Sequence, residues 1–242
     1  MSDMRADLQG FRGFSAILLL LFGLFSRTFK NGFTGIDVFF VLSGYVSQMQ
    51  YADKATTING IYKYFGNKIT GIFPIYFVAL LGTLLVGSLF LPAGYSDDLI
   101  SDAKWAILFA SNWKGYFTNK GFYMQEYSFL HHTWVISLQL QYFLIAPFLF
   151  LQLSRCRTAE MKLTVCYVTA FISFLFQLSS SGPSSSESLC ARLWQFQVGA
   201  ISCLSTPSRE LLEEQKRRDF WAYEQSEIVG KKWREEGRFL DC

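Results

Sequence analysis

Charged side chains are scarce in this chain of 242 residues, where they make up 17% of the total against about 25% in soluble domains. They are wholly absent from 69–96, 127–154 and 163–186. Each of these gaps exceeds the roughly 20 residues that a helix needs to cross a bilayer. The scarcity excludes an ordinary soluble domain and predicts a multi-pass integral membrane protein, without indicating the compartment.

Histidine and clustered cysteine are also nearly missing. The chain has two histidines, His131 and His132, and five cysteines without metal-type spacing. The basic residues lie in loops and in the C-terminal tail rather than in a patch interleaved with aromatic residues. The net charge of +3 therefore does not indicate a nucleic-acid partner. We predict no metal site and no nucleic-acid binding.

The charge that is present is concentrated at the C-terminus. Residues 205–242 hold 17 of the charged side chains, out of 22 basic and 19 acidic ones in the whole chain. Glu213 and Arg217 are spaced as an i,i+4 pair, which favours a solvated helix in part of this segment. We therefore predict two parts, a membrane domain over 1–204 and a charged C-terminal tail over 205–242.

Apolar runs predict six membrane-spanning helices and a weaker seventh candidate at 102–113. Lysine and arginine follow the positive-inside pattern if the N-terminus is cytoplasmic and 102–113 does not cross. If that segment did cross, the basic loop at 155–162 and the tail would both lie outside. We therefore prefer an all-α bundle with six crossings, in which 102–113 is re-entrant or interfacial. The predicted spans are 11–26, 33–50, 72–93, 132–152, 163–179 and 189–204.

Several polar residues fall inside these spans. Only fourteen uncharged residues separate Arg12 from Arg27, so a full first crossing places Arg12 below the headgroups. Such a residue either faces the protein interior and marks a ligand or ion path, or it snorkels to the interface. Asp37 enters the second span from outside. Gln139 and Gln141 project into an apolar helix, and each needs an internal hydrogen-bond partner.

Six motifs occur in order between residue 5 and about residue 200. They are RADLQGFRGFSAILLLLFG, NGFTGIDVFFVLSGY, NKITGIFPIYF, SNW, HHTWVISLQLQYFLIAP and ARLWQFQVG. Together they resemble the acyltransferase-3 family of membrane proteins. The resemblance implies transfer of acyl groups, commonly acetyl, from acyl-coenzyme A to hydroxyl groups of sugars, lipids or other acceptors. Because the family domain continues through further spans, the resemblance also implies an incomplete domain and a truncated chain.

The resemblance indicates which site residues are kept and which are replaced. Arg12 matches a family arginine, but the catalytic histidine expected eleven positions later is Gly23. The acidic residue of a tryptophan-containing motif is Gln139, and a paired basic motif is reduced to Lys68 and Gly71. A second acidic position is Gln195, and the retained residues are Arg12, Asp37, Ser43, Gly44, Pro74, His132, Trp134, Arg192 and Trp194.

These correspondences predict two functional regions. Arg12 and Lys68 lie on the cytoplasmic side and are predicted to bind acyl-coenzyme A, the donor substrate. Asp37, His132 and Gln139 fall in the outer half and are predicted as the catalytic group, with His132 as a substitute base. Neither glycine nor glutamine can take a proton from an acceptor hydroxyl, which is a task worth about 10²–10⁴ in rate.

Two interpretations remain open at this point. In the first, the protein is a membrane acyltransferase with reduced or lost activity, acting on a carbohydrate or lipid acceptor. In the second, it is a non-catalytic, truncated paralogue that binds membrane lipids, acyl-coenzyme A or a full-length relative. A transporter is a third and more distant interpretation, because buried polar residues also line ion paths.

Overall fold

A computed structural model of the chain describes residues 6–25, 34–52, 54, 57–92, 95–117, 130, 132–181, 185 and 187–206. Within these residues every regular element is helical, as the sequence predicts, and there is no strand. The helices are α1 Ala6–Leu24, α2 Thr34–Tyr51, α3 Ile58–Phe90, α4 Ser96–Ile107, α5 Lys114–Phe117, α6 Thr133–Ser154, α7 Ala159–Ser179 and α8 Leu189–Ser205, with a 3₁₀ turn at Ser111–Trp113 between α4 and α5.

Three helices within the described ranges are long and apolar enough to cross a membrane: α3, α6 and α7. They correspond to three of the six predicted spans. Helices α1, α2 and α8 also form where spans were predicted, and α1 contains a shorter apolar run, Gly10–Leu19. That these three cross, and that the crossings number six rather than seven, stays a prediction.

Helix α3 begins 14 residues earlier than the predicted span at 72–93. Its first turn is capped by Thr57, whose Oγ1 accepts a hydrogen bond from the Gly60 N–H at 3.2 Å. Hydropathy locates only the uncharged part of a helix, whereas the backbone hydrogen bonds continue through the polar turns that contain Lys63 and Lys68. The helix ends at Phe90, just before Pro92.

The segment around 102–113 packs against α3 in the antiparallel direction. Leu99 lies against Gly87, and further along the chain the Phe109 ring stacks on Phe73 with centroids 5.0 Å apart. The chain then turns back through the 3₁₀ helix. That this segment is re-entrant or interfacial and does not cross stays a prediction.

The turn itself is made by Phe109, the one non-glycine residue among those described that has a positive φ, at 51°. This left-handed conformation usually ends helices at glycine, and other residues adopt it at a cost of about 1–2 kcal/mol. The Phe109 ring compensates by packing on Tyr76, with centroids 4.8 Å apart. The Tyr76 hydroxyl also donates to the Ala106 carbonyl at 2.9 Å, which holds the end of α4 against α3.

The centre of the core is a stack of three rings from α2, α6 and α8. Phe196 lies between Tyr142 and Phe40, with ring centroids 3.9 Å and 4.8 Å away. Beside the stack, the backbones of α2 and α8 are in contact. A Cβ atom added at Gly44 would overlap the Phe196 carbonyl, and one added at Gly199 would overlap the Val41 carbonyl. Glycine at these two positions is what lets the helices approach so closely.

All of these helices belong to one compact unit, Met1–Leu204, and Ser205–Cys242 forms a second. The predicted charged tail lies outside the described residues from position 207 onward, as does His131. The division into a membrane domain and a tail therefore stays a prediction.

Candidate functional site

Lys68 is enclosed by aromatic rings on α3, α2 and α6. Its ammonium nitrogen lies 4.2 Å from the centroid of Phe143, 5.5 Å from that of Tyr51 and 5.7 Å from that of Tyr64. It also donates a long hydrogen bond, 3.5 Å, to the Ser47 hydroxyl. Ring faces attract a cation without supplying a negative charge, so the Lys68 ammonium is held by side chains that give it no counter-charge.

Arg12 brings a second positive charge to the same place. It lies half-buried on α1, and burial, together with repulsion from the Arg12 guanidinium, lowers the pKa of the Lys68 ammonium to about 8. Within the described part of the chain, neither residue forms an ion pair with an acidic side chain. Two like charges held together without a counter-charge favour an anion between them. The structure thus brings the two predicted donor-binding residues together, and we call them the basic pair.

A second cluster lies about 15 Å away, since Asp37 precedes Ser47 by ten residues on α2. Oδ1 of Asp37 accepts hydrogen bonds from Arg192 Nη1 at 3.0 Å and from Gln195 Nε2 at 2.8 Å, both on α8. Arg192 is only 12% exposed, so the charge-assisted bond is partly protected from water. The sequence named each of these residues but did not indicate that they meet.

Gln139 is 3% exposed, and neither atom of its side-chain amide has a hydrogen-bond partner within the described ranges. The expectation that Gln139 has an internal partner is therefore wrong there. Oε1 of Gln195 is likewise buried and unpaired. Buried polar groups are nearly always satisfied, so three unpaired atoms in one small region are unusual.

Asp37, Gln139 and Gln195 occupy similar positions relative to the ring stack of the core. Asp37 and Gln139 each lie three residues before a stacked ring, Phe40 and Tyr142, and Gln195 directly precedes the third. Residues three apart share a helix face, so Asp37 and Gln139 lie on the same faces as their rings. Gln195 lies one residue from Phe196, so each of the three is within about one helical turn of the stack along its own helix. We call these residues, together with Arg192, the polar layer.

Gln141, in contrast, has the internal partner that was expected. Its Nε2 donates to Asn112 Oδ1 at 2.9 Å, and its Oε1 accepts from Asn112 Nδ2 at 3.2 Å. Asn112 Nδ2 also donates to the carbonyl of Glu187 at 3.1 Å. The fully buried Asn112 therefore joins the 3₁₀ helix to α6 and to the segment that enters α8. No role was predicted for Asn112 of the SNW motif, although a polar amide in an apolar segment could have indicated one.

His132 stands at the N-terminal end of α6 with an exposed side chain. The structure places no hydrogen bond between His132 and either Asp37 or Gln139. Gly23 lies within α1. That Gly23 faces a cavity shared with these three residues stays a prediction.

The fold and these two clusters define a helical membrane protein with an unpaired basic pair and, at a distance, a buried polar layer. Comparison with known proteins gives the family. The sequence profile described as "Acyltransferase domain", of the acyltransferase-3 type, matches residues 6–201. The chain therefore belongs to the acyltransferase-3 family, as its motifs indicate.

Relatives carry names consistent with this membership. A protein of Komagataeibacter xylinus named as a membrane-bound transacylase, BcsY, is 27% identical over 217 residues, covering 82% of this chain and 51% of that protein. The O-acetyltransferase OatA of Staphylococcus aureus is 25% identical over 144 residues, covering 58% of this chain and 24% of OatA. The chain thus spans about half the length of the first and a quarter of the second. No solved structure matches.

Proposed function

We propose that this membrane O-acyltransferase-like protein takes acyl-coenzyme A as donor and a hydroxyl group of a carbohydrate or lipid as acceptor, with transfer activity that is reduced or lost. Its relatives are named for transacylase and O-acetyltransferase activities, which favours acetyl as the group carried. This chain spans only part of the length of those proteins, so their activity is proposed for it here.

The basic pair supports the donor half of this proposal. Arg12 and Lys68 bring two positive charges together without an acidic partner in the described part of the chain. The phosphates of coenzyme A supply the anion that such a pair favours, and charge-assisted hydrogen bonds to phosphate are among the strongest in proteins. The acyl group would then be carried toward the polar layer, about 15 Å away along α2.

The observation that carries the proposal of weak or absent transfer is the unpaired amide of Gln139. Its position is occupied in the family by an acidic residue, and an amide cannot accept the acceptor's proton. Asp37, the carboxylate of the polar layer, has its Oδ1 bound by Arg192 and Gln195. That oxygen is therefore already a hydrogen-bond acceptor for two other side chains.

The test measures release of coenzyme A thiol from acetyl-coenzyme A by membranes that contain each variant. We expect the parent protein to be near background. Gly23→His together with Gln139→Glu should exceed either single variant, by about 100-fold over the parent, because the two residues act as a unit. Gly23→His together with Gln141→Glu is the matched control and should stay at background.

Two results would change this conclusion. Robust turnover by the parent that is lost in His132→Ala would show that His132 serves as the base. Background activity in every variant, with acyl-coenzyme A still bound, would favour the non-catalytic alternative. One observation supports that alternative: only 11% of the most apolar 18-residue stretch is buried in each of α3 and α7, which leaves large faces for lipid or a partner.

A further inference from the structure

A cavity of about 330 Å³ lies between α3, α6 and the tip of the α4 segment. Apolar side chains form most of its wall, among them Phe73, Phe109 and Phe143, and Lys68 contributes the one charged group. Ile69 and Leu144 also line it, and both are exposed on the surface of the helical bundle. The cavity therefore opens sideways, toward the surface that a bilayer would cover, and its size suits a small ligand.

The position of Lys68 along α3 fixes the depth of this cavity in the membrane. The uncharged part of the helix, Ile69–Phe90, has 22 residues and is about 33 Å long, close to the roughly 30 Å of the hydrocarbon core. Lys68 directly precedes it and so lies at the level of the lipid phosphates. Ile69 and Phe73 belong to the next turns, where the acyl chains begin.

We propose that this cavity binds one acyl chain of an anionic glycerophospholipid whose phosphate is held by the Lys68 ammonium. The charge is complementary, since Lys68 and Arg12 have no acidic partner in the described residues and basic pockets between membrane helices attract anionic headgroups. The apolar wall of the cavity is complementary to the acyl chain of the lipid.

A phospholipid fits this arrangement better than acyl-coenzyme A does. In a phospholipid, only the glycerol unit separates the phosphate from the acyl chain, so one molecule can reach Lys68 and the cavity at once. In acyl-coenzyme A, the long pantetheine arm separates the two. The lipid and the proposed donor would both use Lys68, and the test therefore contains no donor and reads lipid binding alone.

Native mass spectrometry of the purified full chain, titrated with palmitoyl-oleoyl-phosphatidylglycerol, tests the charge. We expect Lys68→Met to weaken binding about tenfold, because it removes one charge-assisted contact. Lys63→Met is the matched control, since Lys63 is exposed on the same helix and should change binding less than about twofold. Palmitoyl-oleoyl-phosphatidylcholine, which has no net charge, should bind the parent about tenfold more weakly.

The cavity is tested separately with Ile69→Trp, which fills its mouth, and Leu81→Trp, which adds the same ring to an exposed position of α3 outside it. We expect Ile69→Trp to bind phosphatidylglycerol about tenfold more weakly than the parent does. Leu81→Trp should bind it as the parent does. Equal affinity for the two lipids, or equal effects of the paired variants, would overturn the proposal. A separate titration with palmitoyl-coenzyme A and no lipid would also overturn it if Ile69→Trp weakened that binding but not the binding of phosphatidylglycerol.

Discussion

The basic pair and the polar layer are buried in different ways. The Lys68 ammonium lies among aromatic rings and a hydroxyl, and neither Lys68 nor Arg12 has an acidic partner among the described residues. In the polar layer, Asp37 is bound by Arg192 and Gln195, and Gln139 has a buried amide without a hydrogen-bond partner. Under the proposed function, donor binding and proton transfer would depend on separate groups about 15 Å apart, so that one could be lost without the other.

The largest effect should come from disrupting the contact between α2 and α8 that builds the polar layer. We expect Gly44→Leu to destabilise the protein by about 3 kcal/mol or more, since its side chain would collide with backbone atoms of α8. The measurement is unfolding in a denaturing detergent. Gly82→Leu is the control, because Gly82 has open space around it, and it should change stability by less than about 0.5 kcal/mol. Equal stabilities would show that the helices do not touch as described.

The next effect concerns the basic pair. Arg12→Gln or Lys68→Gln alone should weaken acetyl-coenzyme A binding about tenfold, and the double variant about a hundredfold, as each loses a charge-assisted contact to phosphate. Titration calorimetry on the solubilised protein measures this. Lys63→Gln should bind as the parent does. If the double variant also binds as the parent does, the pair is not the donor site.

A smaller effect involves Glu187, whose backbone carbonyl binds Asn112 and whose side chain is 4% exposed. Burial raises the pKa of its carboxyl from 4.5 to about 7. The folded protein therefore holds the proton more tightly than the unfolded chain. Its contribution to stability should be complete below pH 4.5, fall by about 2 kcal/mol by about pH 6, and be lost as the pH rises through 7.

Glu187→Gln supplies the reference for this measurement, because it has no titrating group at that position. The stability difference between the parent and this variant, followed from pH 4 to pH 8, isolates the carboxyl from all other titrations. A difference that does not change with pH would mean that the carboxyl is solvated in the folded protein.

The smallest effect sharpens the contrast between two glutamines on α6. Gln139→Leu should stabilise the protein by about 1 kcal/mol, since it removes a buried amide without partners. Gln141→Leu should destabilise it by about 1–2 kcal/mol, because Asn112 would lose both of its bonds to that side chain. The measurement is the thermal unfolding temperature of each variant relative to the parent, under the same detergent conditions. Destabilisation by Gln139→Leu would indicate that this amide is bound after all.

Composition was enough to predict the helical class and the location of α3, α6 and α7. An uncharged apolar run of about 20 residues or more is typical of a membrane-spanning helix. It placed the start of α3 incorrectly, since a cap at Thr57 extends the helix through residues that no bilayer requires. The turn at Phe109 was also missed, because glycine is the usual signal for that backbone conformation.

The site was predictable only as a set of residues. Motif positions indicated that Arg12 and Lys68 belong together, and the structure places their charges within interaction range. Sequence could not show that Asp37 binds Arg192, which is 155 residues away, or that Gln141 and not Gln139 finds a partner. Such pairings depend on how helices rotate about their axes in the packed bundle, and helical periodicity alone does not specify that rotation.

The bond between Asp37 and Arg192 also sets an order of events during synthesis. The two residues are 155 positions apart, and a ribosome that adds about 5–20 residues per second needs roughly 8–30 s to make the interval. During that time α2 is present with an acid that has no arginine, near the end of the helix, where water can solvate it. Closure of the polar layer therefore has to wait until α8 is made, and in a nascent chain stalled before α8 Asp37 would lack both of its described partners.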